Sequence, residues 1–298
     1  MPSRTESKTR DYQLGVAQLL AGATMISFSP VFVKLAHIGP TVAGFYRNLF
    51  GGVFLLIVVI ARGDPLWKGR RPFLLAVACA IFFAADLSFW HRAILHIGPG
   101  LATMMGNLQV FFLAAFGILI FKEKIDWKFL VSVPLALMGL FILVGVDWQQ
   151  LDRGYRHGVL FGVATAVTYA GYLLIIQKSQ SGSMRLSAAA NLAVISLFTA
   201  AIMGVESRTI AESFRIPDVQ SWLSMIAYGV LCQGLGWIVI SRGLVKVEAS
   251  RAGLILLLQP TLAFLWDVLL FSRPTDGQDF FGALLTLAAI YLGGNRRR

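Results

Sequence analysis

Eleven side chains with polar, charged or indole groups lie inside long apolar runs of this chain: Lys34, Arg47, Asp86, Trp90, His91, Asn107, Gln109, Gln233, Trp237, Gln259 and Asp267. An ionisable group at the centre of a bilayer costs about 2.5–3.5 kcal/mol on insertion scales, so these groups must face protein or water. Asp86 and Trp90 are four residues apart and share one helical face, as do Gln233 and Trp237. Two faces that each pair a polar group with an indole suit an amphipathic ligand with an apolar side chain. Asp86 either meets an ammonium group or a proton in a cavity, or makes a structural ion pair. Asn107, Gln109, Gln233 and Gln259 either hydrogen-bond a carboxylate or amide of a ligand, or join helices at about 0.6 kcal/mol each. Lys34, Arg47 and Asp267 fall at similar depth and suit a salt-bridged gate. The competing reading of Lys34 is a long side chain that snorkels to the interface. Arg47 lies deeper and is read as paired. His91 and His96 flank the end of one run; a pH role competes there with the favoured reading of an ordinary solvated histidine. Pro260 follows Gln259 in mid-run and removes a backbone hydrogen bond, which makes either a hinge or a static kink. Met104-Met105 read as gap fillers.

These groups need apolar elements long enough to carry them, and the composition supplies little else. Of the 298 residues 57% are hydrophobic and 14% charged, against about 25% charged in an ordinary soluble domain. Such a composition rules out a disordered chain and argues against a soluble enzyme. Cys79 and Cys232 both sit in apolar runs, so neither a disulfide framework nor a metal site is expected. A membrane-spanning helix needs about 20 mostly apolar residues. Runs of that kind fall at 13–36, 41–62, 73–95, 99–121, 127–146, 157–177, 186–204, 220–243, 248–271 and 278–294. The breaks carry turn chemistry, as at Ile38-Gly39-Pro40, Arg62-Gly63-Asp64-Pro65 and Ile97-Gly98-Pro99. The first run is too long for a cleaved leader and is expected to stay in the protein. Trp67, Trp127, Trp148 and Trp222 read as an interfacial belt.

The net charge of +11 resolves into an orientation signal. Eighteen of the 26 Lys and Arg flank the side of the two termini, seven flank the other side, and Arg47 lies within span 2. The positive-inside rule then places both termini in the cytoplasm, where the surplus meets anionic lipid head groups. Nucleic acid is not an expected partner.

The chain also repeats itself. At a constant offset of 150, Arg92 meets Arg242, Ala102 meets Ala252, Gln109 meets Gln259, Phe121 meets Phe271 and Asp126 meets Asp276. A repeat with an odd number of spans must insert its second copy upside down, and transporters built this way bind near the midplane. The expected organisation is a cytoplasmic tail 1–12, a five-helix repeat 13–146, a linker 147–156, an inverted five-helix repeat 157–294 and a basic tail 295–298. The fold class is an all-α polytopic membrane protein of ten spans.

The order of motifs resembles the drug/metabolite transporter superfamily in its ten-helix EamA-type form. The matching residues are Arg47, Ala93-Ile94-Leu95, Gly98-Pro99, Ala102, Glu123 and Gly139 in the first half. In the second half they are Arg242-Gly243-Leu244, Ala252, Leu258-Gln259-Pro260 and Gly282. Two positions depart: the family proline of span 4 is Gln109 or Val110 here, and the glutamate after span 9 is Arg273. Phe45-Tyr46-Arg47-Asn48, Asp86-Leu87-Ser88-Phe89-Trp90 and Asn107-Leu108-Gln109 resemble the YddG-like subgroup of aromatic amino-acid and methionine exporters. The resemblance implies an inner-membrane exporter of neutral amino acids that works by alternating access, with hairpins 3–4 and 8–9 lining its cavity. It implies no cofactor. A monomer suffices for such a bundle, and an oligomer stays open. The rival substrates are nucleotide-sugars, drugs and other metabolites. An intramembrane enzyme is the rival from another class, and its marks are missing: no His-Glu-x-x-His, no Gly-x-Gly-Asp and no Walker loop.

Overall fold

The computed structural model describes residues 4–123, 125–144, 153–181, 185–272 and 274–294, and side chains within them except at 4–8, 98–101, 143, 144, 153 and 294. Most of the linker, the 295–298 tail, Trp148 and Arg273 lie outside the described residues.

The described residues are helical, with no strand. Span 1 is α1 (Arg4–Ser27) followed by α2 (Ser29–Leu35), and span 2 is α3 (Pro40–Arg62). α4 (Arg70–Asn107) and α5 (Gln109–Leu119) make spans 3 and 4. α6 (Trp127–Val144), α7 (Arg153–Ser179) and α8 (Ala188–Thr209) are spans 5 to 7. Span 8 is α9 (Val219–Ala227), a π-helical stretch Tyr228–Gly236 and α10 (Trp237–Leu244). Span 9 is α11 (Ala249–Leu256) and α12 (Leu258–Phe271), and span 10 is α13 (Gly277–Gly294). Eight of these spans are long and apolar enough to cross a membrane, and Trp127–Ile142 and Gly277–Gly293 are shorter apolar helices.

α4 holds a hairpin although its helical geometry has no break. The indole Nε1 of Trp90 donates to Thr103 Oγ1 at 3.2 Å. Thirteen residues of straight helix would hold these groups about 19 Å apart, so the chain reverses between them. Elsewhere the ends follow local chemistry. Gly63 closes α3 with a left-handed φ of 65°, which lets its N–H and that of Asp64 reach the Ile60 and Val59 carbonyls. Ser187 and Asp218 cap α8 and α9 by accepting from Ala190 and Ser221 backbone N–H groups.

The spans pack as a two-fold set. Span 1 lies along span 8 as span 6 lies along span 3, while span 2 crosses 7, span 4 crosses 9 and span 5 pairs with 10. Exchanging the first five spans for the last five maps each pairing onto another or onto itself. Small residues at the crossings allow this closeness, as is usual where lipid supplies no hydrophobic drive between helices. A Cβ on Gly51 of span 2 would sit 2.6 Å from the Gln233 Cβ and 2.8 Å from the Gly229 carbonyl oxygen of span 8. Gly51→Ala should therefore cost about 1–3 kcal/mol of stability. A fall in the unfolding temperature of the purified protein in detergent would register it; an unchanged temperature would mean that spans 2 and 8 part easily.

The outer surface is apolar. Ile60, Leu95, Leu160, Leu223 and Leu284 are all exposed. In water this belt would be an aggregation surface; against lipid it is the solvent-matched face. Trp67, Trp127 and Trp222 are exposed as an interfacial belt requires.

Both hairpin helices of the two-fold set are broken near their middles. Span 9 breaks at Leu257, whose N–H turns back to the Leu254 carbonyl, three residues before Pro260. Span 4 breaks at Leu108 in the same manner, onto the Met105 carbonyl, with no proline after it. A proline is thus not required for the break. At Gly253 of span 9, a Cβ would lie 2.6 Å from Leu113 and 3.3 Å from Gln109 Oε1 of span 4, so the two broken helices cross at their closest approach.

Candidate functional site

Arg47, within span 2, is a buried cation. The polar edge of α3 that carries Arg47, Asn48, Gly51 and Gly52 faces the interior. The guanidinium donates from Nε to Gln233 Oε1 at 2.9 Å and from Nη1 to the Tyr228 hydroxyl at 3.1 Å. It also lies 4.9 Å from the Tyr228 ring centre and 5.4 Å from that of Phe83. Gln233 passes its own Nε2 to Ser196 Oγ at 3.0 Å, which fixes the amide so that its oxygen turns to the arginine. Among the described residues no carboxylate forms an ion pair with Arg47. A guanidinium has five N–H donors, and these two bonds leave three of them open.

Asp86, on span 3, is also buried. Among the described residues its carboxylate accepts no hydrogen bond and forms no ion pair, although Arg47 is the cation whose field reaches it. Around it runs a wall of aromatic rings. Phe83 stacks on Tyr172 at 4.6 Å, and Trp237 meets Tyr172 edge-on at 4.8 Å and Phe83 at 5.9 Å. Tyr169 extends the wall, 6.4 Å from both Tyr172 and Trp237, with the Gln259 side chain beside it. The Tyr172 hydroxyl, Trp237 Nε1 and Gln259 Nε2 are buried with no hydrogen-bond partner among the described residues. An unmet buried polar atom costs about 1–3 kcal/mol. One guanidinium, one carboxyl group and three unmet polar groups therefore stand beside an aromatic wall.

Arg47, Asp86, Gln233, Trp237 and Gln259 thus come together. Gln233, in the π-helical stretch, bonds Arg47 and Ser196, while Trp237 at the start of α10 meets Tyr172 and Phe83. Arg47 does not stand with Lys34 and Asp267, the other members of the expected gate. It is held at the centre by Gln233 and Tyr228, whereas Lys34 Nζ meets Asp267 Oδ1 at 2.8 Å where spans 1 and 9 end. Lys34 also lies over the Phe271 ring at 4.2 Å.

His91 is buried rather than solvated, against Gly44 of span 2, with Nδ1 unpartnered among the described residues. The residue that faces outward is Arg92, one helical step round, which pairs with Glu206 at 2.9 Å. Trp90 and Asn107 turn toward their own hairpin, Asn107 donating to the Thr103 carbonyl at 2.8 Å. Gln109 donates to the Gly253 carbonyl at 3.3 Å and so joins spans 4 and 9. Phe83, Tyr169, Tyr172, Tyr228 and Ser196 were not anticipated from sequence. The usable signal was Tyr169 and Tyr172, three residues apart in mid-span. Tyrosine in a spanning helix otherwise favours the interface.

A second network lies on the side that carries the termini. Glu123, after span 4, accepts the Ala249 and Ser250 N–H groups at 2.9 and 3.3 Å and the Ser250 hydroxyl at 2.6 Å. It thereby caps α11, where a carboxylate is favoured by the helix dipole. Arg251, 6% exposed, pairs with Asp126 at 2.8 Å and donates to the Gly293 carbonyl, tying the 4–5 loop, span 9 and span 10 together. Burial acts to raise the Asp126 carboxyl, but the Phe129 N–H and the Arg251 guanidinium outweigh it and hold it below the usual carboxylate range. A depressed carboxyl stabilises the fold in full above its unfolded value, about 3.9, and loses that contribution as pH falls through the folded value. The gap in unfolding temperature between the protein and Asp126→Asn should therefore be widest near neutrality and close below about pH 4. A gap independent of pH would remove the ion pair from the account.

A two-fold bundle of ten spans, with charged groups buried at its centre and ionic links at both ends, is the architecture of a secondary transporter. The EamA-like transporter family model matches twice, over residues 13–145 and 156–293, and the chain belongs to this family. It is 22% identical to an uncharacterized transporter of Archaeoglobus fulgidus, over 95% of this chain and 97% of that protein. It is 24% identical to a probable amino-acid metabolite efflux pump of Escherichia coli, over 81% of this chain and 93% of that one. A pump with the same description in Salmonella typhimurium is 23% identical, over 90% and 89%. A solved crystal structure superposes with a TM-score of 0.81 over 95% of this chain and 97% of that chain, at 18% identity, which speaks to the fold. The protein is a transporter of the drug/metabolite superfamily rather than an enzyme.

Proposed function

We propose that the protein exports neutral amino acids, aromatic ones and methionine among them, across the bacterial inner membrane. The observation that carries this reading is Arg47 and Asp86, neither in an ion pair among the described residues, beside one aromatic wall. Arg47 takes the substrate carboxylate on its open N–H donors, since a guanidinium fork matches a carboxylate in geometry and charge. Asp86 takes the ammonium. Phe83, Tyr172 and Trp237 take the apolar side chain. Gln259 Nε2 and the Tyr172 hydroxyl supply further polar contacts. A single central guanidinium suits one carboxylate better than the two phosphates of a nucleotide-sugar. The description of two relatives as amino-acid metabolite efflux pumps points the same way.

The eighteen-to-seven bias of Lys and Arg supports cytoplasmic termini. Alternating access then uses the two sets of links in turn. On the side of the termini Arg251 is 6% exposed and Asp126 35%, and on the other side Lys34 and Asp267 are 53% and 31% exposed. In this reading the Lys34–Asp267 pair is the lighter gate, since exposed pairs contribute only about 0–1 kcal/mol. Leu108, Leu257 and Pro260 are the hinge positions.

The test is transport by purified protein in liposomes against a panel of radiolabelled amino acids, with and without a pH gradient. Saturable movement of phenylalanine, tryptophan or methionine is expected. Movement of another metabolite with no amino acid moved would overturn the substrate assignment, and the gradient arm reports proton coupling.

A further inference from the structure

Away from the central site, where spans 6 and 8 end and span 7 begins, a cavity of about 310 Å³ is lined by Gln180, Arg185, Ser187, Ser241, Arg242 and Lys246 among others. Three of its lining residues are cations and none is a carboxylate. Among the described residues, Arg185 donates to the Gln180 carbonyl and Lys246 to Gln18 Oε1, and no acid pairs with Arg185, Arg242 or Lys246. Gln180 is 6% exposed, and its Nε2 donor is buried with no partner among the described residues. Ser187 is the N-cap of α8, so the positive end of a 22-residue helix opens at the same place. Guanidinium and ammonium groups, an amide donor without an acceptor and a helix N-terminus all ask for one thing, an anion with several oxygens.

The level of the cavity narrows the source. It lies where apolar helices end, the depth of lipid head groups rather than of bulk solvent. A Cβ on Gly15 of span 1 would lie 2.7 Å from the Lys246 Cβ, so the lysine stem runs along span 1 just inside the exposed Leu14. Basic pockets between helix ends hold lipid phosphates in this way. We propose that this cavity is a binding site for the phosphate of an anionic phospholipid, phosphatidylglycerol or a relative. The bound headgroup ties span 8, which carries Gln233 and Trp237, to the start of span 7. The Gln180 amide and the Arg185, Arg242 and Lys246 side chains are its ligands.

Native mass spectrometry of the full-length protein, titrated with phosphatidylglycerol, phosphatidylcholine or inorganic phosphate, tests this. Phosphatidylglycerol should be retained in preference to phosphatidylcholine. Each surface cation adds about 1 kcal/mol for an anionic lipid, so Arg242→Gln should weaken retention about fivefold and the triple variant with Arg185→Gln and Lys246→Gln about 100-fold. The control is the triple variant Lys68→Gln, Arg70→Gln, Arg71→Gln, which loses the same charge from the 2–3 loop and should retain the lipid. Arg242 is exposed, so the single variant keeps the test intact if the triple variant unfolds. Equal losses from pocket and control variants would overturn the proposal in favour of diffuse surface charge. Equal retention of the two lipids, or inorganic phosphate that binds as tightly and displaces phosphatidylglycerol, would overturn the lipid assignment.

Discussion

Arg47→Met should reduce amino-acid transport in liposomes by about 10- to 100-fold, the factor that corresponds to the ~1.5–3 kcal/mol of a charge-assisted hydrogen bond. The same change should leave the unfolding temperature where it was, or raise it. A buried charge without a counter-charge costs several kcal/mol of desolvation, and an apolar residue of similar volume recovers that cost. Against this stand two lost neutral partners, Gln233 Oε1 and the Tyr228 hydroxyl, at about 1 kcal/mol each. A residue kept for stability would behave in the opposite way. Arg47→Lys sharpens the test, because an ammonium holds the charge but lacks the fork that serves Gln233, Tyr228 and a carboxylate together. It should recover little of the transport. A Met variant that transports normally but melts early would make Arg47 a structural group.

Asp86→Asn should fall within the same range for amino acids, because the isosteric amide keeps the volume and loses only the charge that faces a substrate ammonium. Its diagnostic is selective. A deaminated analogue, 3-phenylpropanoate, has the carboxylate and ring but no ammonium, so its competition against phenylalanine should be weak in the native protein. The charge on Asp86 then has no partner. In Asp86→Asn the analogue should compete relatively better. Transport and pH dependence both unchanged would return Asp86 to a structural role. Retained transport with lost pH dependence would assign it a proton instead of an ammonium. The two predictions are coupled, since Arg47 and Asp86 sense one another across the site. The double variant should therefore lose less than the sum of the single losses.

The membrane bundle was legible because lipid imposes one strong rule. Every backbone polar group must be satisfied within the segment, so a span announces itself as about 20 apolar residues. The repeat was legible for a related reason, since a two-fold bundle reuses spacing: Gln109 and Gln259 both follow the breaks in their helices. Polar residues in mid-span were legible as a set, because each costs energy wherever it points.

Their partners were not. Asp86 and Arg47 were each legible as costly, but nothing in the sequence places an arginine of span 2 on a glutamine of span 8, because that contact depends on how closely two backbones approach at Gly51 and Gly229. The π-helical stretch was hidden for the same reason: its register is set by packing. His91 turns inward and Arg92 outward, a difference of one residue that a boundary uncertain by a few residues cannot resolve. Tyr169 and Tyr172 were passed over because an aromatic in an apolar run is ordinary until its hydroxyl is seen to lack a partner.

The sequence by itself therefore determined the spans, their number, the two-repeat plan and a charge bias between the two sides. Those follow from apolar length and charge, which are additive along a chain. Tertiary structure alone decided which polar groups share a site, which pair off at the rims, and where the helices break. Those depend on distances between spans far apart in sequence, and at a crossing the presence or absence of a single Cβ decides them.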